Sequence, residues 1–364
     1  MLKVLKMNDE IQKIESWFQK EVSPCANELD SNCEKLAAML QKIGDRSWLA
    51  LKAPVKLGGM GMKEIEYRRL QISLARASGA LTFLQTQHQS AVAKLAQSKN
   101  ISLRELFPQV AQGKSLIGVG FSHLRRRGTP MMLARATAGG YLLTGKVPWI
   151  TGYGFFSQFI LGATLDDGRE LYGILPLENT VQDSGGEIAC SEPMALLAAT
   201  ATNTVSAEIN QWYLSSDRLV SINPPGAIHH SSQQNILNHG FFALGCAYAG
   251  LDLLQTIAQN KQLEFLYSSW EVLHQEVTAT ADKAIALISQ EQSPYSQRLQ
   301  LRAETIDLAQ RCSLAAVVAS SGAANYLHST VGRVYREALL FSVAGQTKDV
   351  IEASLKQLLS NQIN

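Results

Sequence analysis

The 364-residue sequence has no CxxC pair. Its five cysteines, Cys25, Cys33, Cys190, Cys246 and Cys312, are few, odd in number and dispersed. That excludes a disulfide scaffold and reads as reduced thiols in a cytoplasmic protein. The seven histidines form neither HExxH nor a Cys/His ligand spacing, so no metal site is expected. An excess of one charge is also missing: 33 basic against 31 acidic residues leave a net charge of +2. Nucleic acid is therefore not an expected partner, because it would call for a basic face. No unbroken apolar stretch reaches the roughly 18 residues of a membrane span, so no membrane is expected either. The opening MLKVLKMNDEIQKIESWF breaks into charge too soon for the apolar core of a signal peptide. With 46% hydrophobic and 18% charged residues, the chain is not a disordered one.

Two or three domains are expected from the length. Residues 1–113 read as helical. Asn8 or Asp9 offers a cap for a helix with Ile11, Ile14, Trp17 and Phe18 on one face. A second helix through Leu36, Met39, Leu40 and Ile43 stops at Gly44. After the loop APVKLGGMGM, a long helical region from Lys63 to Gln97 is interrupted at Gly79. Residues 114–224 change to short β-rich runs, with Asp166, Asp167 and Gly168 as a hairpin turn. Residues 225–364 return to helices, with Pro294 in a loop between two of them. The expected fold class is a multidomain α+β protein. It has an N-terminal helical domain, a middle antiparallel β domain and a C-terminal four-helix bundle.

Three patches then carry a resemblance. They are APVKLGGMGM with the alanine-rich helix behind it, GYLLTGKVPWITG at residues 140–152, and RVYREA at residues 333–338. Together they resemble the acyl-CoA dehydrogenase superfamily of flavoproteins. The middle patch is similar to the family's GY-x-L-x-G-x-K-x-WIT strand pair and is the most specific. The resemblance implies FAD, with FMN as the alternative. It places cofactor contacts at Ser122, Trp149, Ile150, Thr151, Gln346 and Thr347. It also implies a small-molecule substrate, a CoA thioester being one candidate, and a homodimer or homotetramer.

The departures from the family are as informative. The TEPGAGSD-like segment reads GFSHLRRRG, which puts His123 beside Ser122 and adds Arg125, Arg126 and Arg127. Three arginines can hold a phosphate or carboxylate, so they are the substrate-binding candidates. The catalytic glutamate of the YEG-T segment is replaced by Ala344. The second position that supplies a base in the family falls, by spacing from Gly245, on Asn235. Glu337 stands for the aspartate of RDA and is expected to pair with an arginine. The R-x-x-F-G loop becomes Lys261 to Phe265, which keeps a point charge without a bidentate fork. His88 lies where flavin monooxygenases of this fold carry a histidine, so His88 and His123 are the acid/base candidates. The remaining histidines, His239 among them, have no motif context. The resemblance implies a flavin oxidoreductase on a non-standard substrate. A reduced-flavin monooxygenase and a non-catalytic flavin-binding scaffold are the alternatives.

Overall fold

Six helices open the chain: α1 (Leu2–Trp17), α2 (Ala26–Ser31), α3 (Cys33–Asp45), α4 (Glu64–Ala77), α5 (Gly79–Gln97) and α6 (Ile101–Ala111). The protein is described by a computed structural model over residues 2–290 and 292–360. Helix α3 takes Asn32 as its cap, whose side chain accepts from the Lys35 N–H at 2.9 Å. Asn8 and Asp9 do not cap α1; they lie inside it. The preceding LKVLK is rich in good helix formers, so the helix continues past them. The expected break near Gly79 is real and has a local cause. Ser78 is extended and its hydroxyl accepts from the Leu81 N–H at 3.3 Å, which starts α5 afresh.

Nine strands follow: β1 (Ile117–Gly120), β2 (Met132–Thr137), β3 (Gly140–Ile150), β4 (Gln158–Leu165), β5 (Glu170–Pro176), β6 (Thr180–Val181), β7 (Glu187–Cys190), β8 (Val205–Ser215) and β9 (Leu219–Asn223). Their order is β6-β7-β8-β3-β2-β4-β5-β9, with β1 added beside β4. Most pairings are antiparallel, including the β4–β5 hairpin over Asp166 to Gly168. The β1–β4 and β2–β4 pairings are parallel. The sheet shares one core with the first helices, in which Ile14, Leu40 and Leu84 join Val147, Phe159 and Leu214. Each such fully buried side chain contributes roughly 1.5–3 kcal/mol.

The chain closes with α7 (Ala227–Gln234), α8 (Gly240–Lys261), α9 (Glu264–Ile288), α10 (Tyr295–Ser320), α11 (Thr330–Val343) and α12 (Lys348–Ser360). Phe241, Leu244, Leu251, Val277, Leu308 and Cys312 fill the bundle core. Helix α8 is long and apolar enough to cross a membrane by length and composition, but 67% of its apolar window is buried inside the protein. Glycines let its neighbours approach. A β-carbon on Gly245 would lie 2.4 Å from the Ile72 carbonyl oxygen of α4. One on Gly250 would lie 2.8 Å from the Cys312 backbone of α10. The first of these contacts fastens the bundle to the N-terminal helices.

Candidate functional site

Strand β3 ends at Ile150, and the chain turns through Thr151 and Gly152. Gly152 has φ +102°, and a β-carbon there would lie 2.3 Å from the Phe156 ring. Only glycine fits that turn. The turn leaves Trp149 with 47% of its surface exposed and Thr151 buried. The Thr151 and Thr204 hydroxyls are 3.0 Å apart. Two hydroxyls sharing one hydrogen bond keep one proton unspent. Ile150 does not belong with them, because its side chain is fully buried in the sheet core. Ser122 is exposed at the start of a short turn after β1.

The second half of the site is the loop from Ala344 to Thr347, between α11 and α12. Arg302 of α10 fixes it. This guanidinium is 1% exposed and donates through Nη2 to the carbonyls of Phe341 (3.1 Å) and Ala344 (3.0 Å). It thereby binds the unsatisfied end of α11. Its Nη1 is buried with no partner. Burial without a carboxylate holds its pKa down at about 9. Gly345 has φ +67°, and a β-carbon on it would lie 2.6 Å from Nδ1 and Cε1 of His239. The Gln346 amide donates to the Ser342 carbonyl, and its Oε1 is buried without a partner. The Thr347 hydroxyl accepts from the Val350 N–H at 3.3 Å and caps α12.

His239 is the residue that the sequence did not reveal. It lies at the start of α8, edge-on to Phe242 (5.7 Å between centroids). Burial first, then the charges of Arg302, Arg125 and Arg68, push its pKa down to about 3. It is therefore a neutral imidazole beside the loop where the resembled family has its carboxylate. Among the described residues its ring nitrogens make no hydrogen bond. Asn235, expected nearby, is exposed and donates its amide to the Ser231 carbonyl at 2.9 Å.

The two histidines named from sequence are placed differently. His88 is fully buried in α5. Its Nε2 donates to the Val110 carbonyl at 3.1 Å, and its Nδ1 accepts from the Ile117 N–H at 3.0 Å. Both ring nitrogens are spent tying α5 to α6 and β1, so His88 is a structural residue and not the expected acid/base group. His123 bonds the Gly162 carbonyl through Nε2 at 2.9 Å, and its Nδ1 is buried without a partner. Burial pushes both of these histidines down to about 4. All three rings take up a proton more readily unfolded, where a histidine stands near 6.5, than folded. Their stabilising contribution is present above that value and is lost as pH falls through about 4 for His88 and His123 and about 3 for His239. Each can steepen the loss by at most roughly 1.4 kcal/mol per pH unit. Urea midpoints from pH 7 to 4.5 are expected to fall more steeply for the wild type than for His88→Gln. Parallel curves would contradict this placement of His88.

The arginine run divides. Arg126 and Arg127 are exposed on the turn. Arg125 turns inward, and its Nε donates to the Ser232 hydroxyl of α7 at 2.9 Å. Burial lowers its pKa. The nearby Glu170 does not pair with it: both its oxygens accept from the Ile228 N–H (3.1 and 3.0 Å), and one also accepts from the Tyr172 hydroxyl. Lys261 is also committed, donating to the Ala319 carbonyl at 2.6 Å, so it is not held out toward a pyrophosphate. Glu337 pairs with Arg333 at 2.6 Å, as expected, and accepts from the Gly79 N–H at 3.0 Å. It faces α5 and is not a base.

Helices, sheet and helical bundle in this order define the architecture of the acyl-CoA dehydrogenases. Residues 9–114 match the family model described as acyl-CoA dehydrogenase, N-terminal domain. A segment of 147 residues is 24% identical to mitochondrial isovaleryl-CoA dehydrogenase of Pongo abelii. That alignment covers 38% of this chain and 35% of the relative. Two solved structures share the whole fold. The glutaryl-CoA dehydrogenase from Mycobacterium smegmatis in complex with FADH2 superposes with a TM-score of 0.81 at 14% identity, over 97% of this chain and 94% of that one. The butyryl-CoA dehydrogenase from Megasphaera elsdenii gives 0.74 at 16%, over 97% and 98%. Residues 9–114 thus carry the N-terminal domain of the acyl-CoA dehydrogenase family, and the chain as a whole shares that family's fold.

Proposed function

We propose that this protein is a flavin-dependent oxidoreductase whose substrate is not a standard fatty acyl-CoA. The observation that carries this reading is the loop at Ala344. Its carbonyl is clamped by Arg302, an imidazole lies against the adjacent Gly345, and the Ala344 methyl stands where the chemistry of acyl-CoA oxidation calls for a carboxylate. A flavin needs a flat apolar surface and a few hydrogen-bonding groups at its edges. The half-exposed Trp149, the spare proton of the Thr151–Thr204 pair and the unpartnered Gln346 carbonyl fit that need. When bound, the flavin supplies the two-electron acceptor. FAD is the family's flavin. FMN remains the alternative, because Lys261 is tied to Ala319 and Phe265 is exposed.

A homodimer or homotetramer in the cytoplasm completes the reading. The apolar Val318, Tyr326 and Leu327 stand 70–78% exposed at the end of α10 and after it, as a subunit contact needs. All five cysteines are free thiols, as a reducing compartment needs. The purified chain is expected to be yellow, to release FAD on denaturation and to scatter light as an oligomer. A colourless protein that takes up neither FAD nor FMN would leave the scaffold reading. Oxygen uptake with added reduced flavin would instead point to the monooxygenase.

A further inference from the structure

Thr151 and Thr204 lie buried side by side, 5% and 3% exposed, with their hydroxyls 3.0 Å apart. Thr204 is presented by a strained segment. Ala199 and Asn203 have φ +53° and +46°, in the left-handed region that residues with a β-carbon avoid. Such residues persist only where their surroundings hold them. Here the surroundings do. The Gly152 N–H donates to the Thr202 carbonyl at 2.9 Å and the Tyr153 N–H to the Asn203 carbonyl at 3.1 Å, which lays the segment along the turn after β3. The Asn203 amide donates back to the Tyr153 carbonyl at 3.3 Å. At the far end, the Ala199 N–H donates to Oδ1 of the buried Asp30 on α2 at 2.8 Å. Asp30 Oδ2 in turn accepts from Arg336 of α11 at 2.9 Å.

Two hydroxyls that share one bond have one hydrogen left over. If Thr151 donated, that hydrogen would lie on Thr204, whose side chain has no second hydrogen-bond partner among the described residues. A buried donor without an acceptor is costly. If Thr204 donates, the hydrogen lies on Thr151, two residues after the half-exposed Trp149. There an acceptor from outside the chain can meet it. We infer that Thr204 is a positioning residue of the flavin site: it donates to Thr151 and so turns the Thr151 hydrogen toward an acceptor atom on the flavin's edge. The 199–204 segment, clamped by Asp30, holds it in that role. The donor is set before the flavin arrives, so less freedom is lost on binding. This rests on the flavin reading above, in which Thr151 faces the cofactor.

The test titrates FAD, or FMN where only FMN binds, into the flavin-free full-length protein and follows the visible spectrum. Thr204→Val keeps the side-chain shape and removes the donor. It is expected to weaken flavin binding by about three- to tenfold, the worth of one hydrogen bond, and to shift the absorption bands of the bound flavin. Thr204→Ser should restore both. In a Thr151→Val background, Thr204→Val should move neither, because Thr204 acts through Thr151. Should Thr204→Val not fold, Thr204→Cys, similar in size and a weak donor, is expected to shift both in the same direction. Unmoved affinity and bands in a yellow Thr204→Val protein would overturn the inference and leave the flavin reading standing. So would a serine variant that restores nothing, or an equal effect with Thr151 already replaced. A wild type that takes up neither FAD nor FMN would overturn both.

Discussion

Straight-chain acyl-CoAs of any length are expected to leave the flavin-loaded protein unbleached. Oxidation of an acyl thioester breaks an α C–H bond whose proton must be accepted as hydride leaves the β-carbon. A placed base is typically worth about 10²–10⁴-fold. The loop presents the Ala344 methyl in its place, and Asn235 is exposed and bonded to Ser231. Glu337 is held by Arg333 and Gly79 in another direction. His239 is neutral and close, but it lies against Gly345 and not at the Ala344 side chain. Rapid bleaching by any chain length would refute the expectation. Ala344→Glu is the complementary variant. Its carboxylate would enter a region that holds the buried Arg302 guanidinium, whose Nη1 has no partner, so its charge should be tolerated. Some flavin reduction by acyl-CoA should then appear. Its absence in a folded, yellow variant would mean that the substrate pocket differs beyond the base.

Much of the fold was legible because it follows local rules. The change from helical to period-2 patterning is written in the sequence, as are the Asp166 to Gly168 turn and the break at Gly79. Helix α1 starts ahead of the capping residues Asn8 and Asp9 because the helix formers before them outweigh a cap. The site was less legible for a physical reason. Whether a histidine is chemical or structural depends on what its two nitrogens meet, and those partners are distant in sequence. His88 looked reactive by position, yet it is consumed by Val110 and Ile117. His239 had no motif, yet the close approach at Gly345 puts it at the loop. The signal that could have found it is its place just ahead of the small-residue helix that packs on α4. The arginine run was legible as unusual, but only the fold shows that Arg125 alone turns inward. Arg302 carried no signal, since nothing in the sequence marks one arginine within a long helical segment as wholly buried.

Glu337→Ala is expected to be among the most destabilising single substitutions in this chain, at about 3–5 kcal/mol. Glu337 is fully buried on α11 and joins two parts of the molecule. One oxygen accepts from Arg333 Nη1 at 2.6 Å and from the Gly79 N–H at 3.0 Å, at the start of α5. The contact is tight: a β-carbon on Gly79 would lie 2.6 Å from the Glu337 carboxyl carbon. Burial raises the pKa of Glu337, and the charge of Arg333 opposes the rise. The pair is therefore costly to bury, and removing half of it is costlier still. Alanine would leave the Arg333 guanidinium, 5% exposed, without its carboxylate and donating through Nε to the neutral Asn27 side chain at 2.8 Å. It would also strip the α5 terminus of an acceptor and open a cavity. Glu337→Gln should cost less, because the amide oxygen can still accept from Gly79. The double variant Arg333→Met with Glu337→Met should recover part of the loss, since an apolar pair leaves no buried charge behind. Urea unfolding of the four proteins measures the coupling. A loss below about 1 kcal/mol for Glu337→Ala, the size of an ordinary surface ion pair, would show that this bridge does not fasten the bundle to α5.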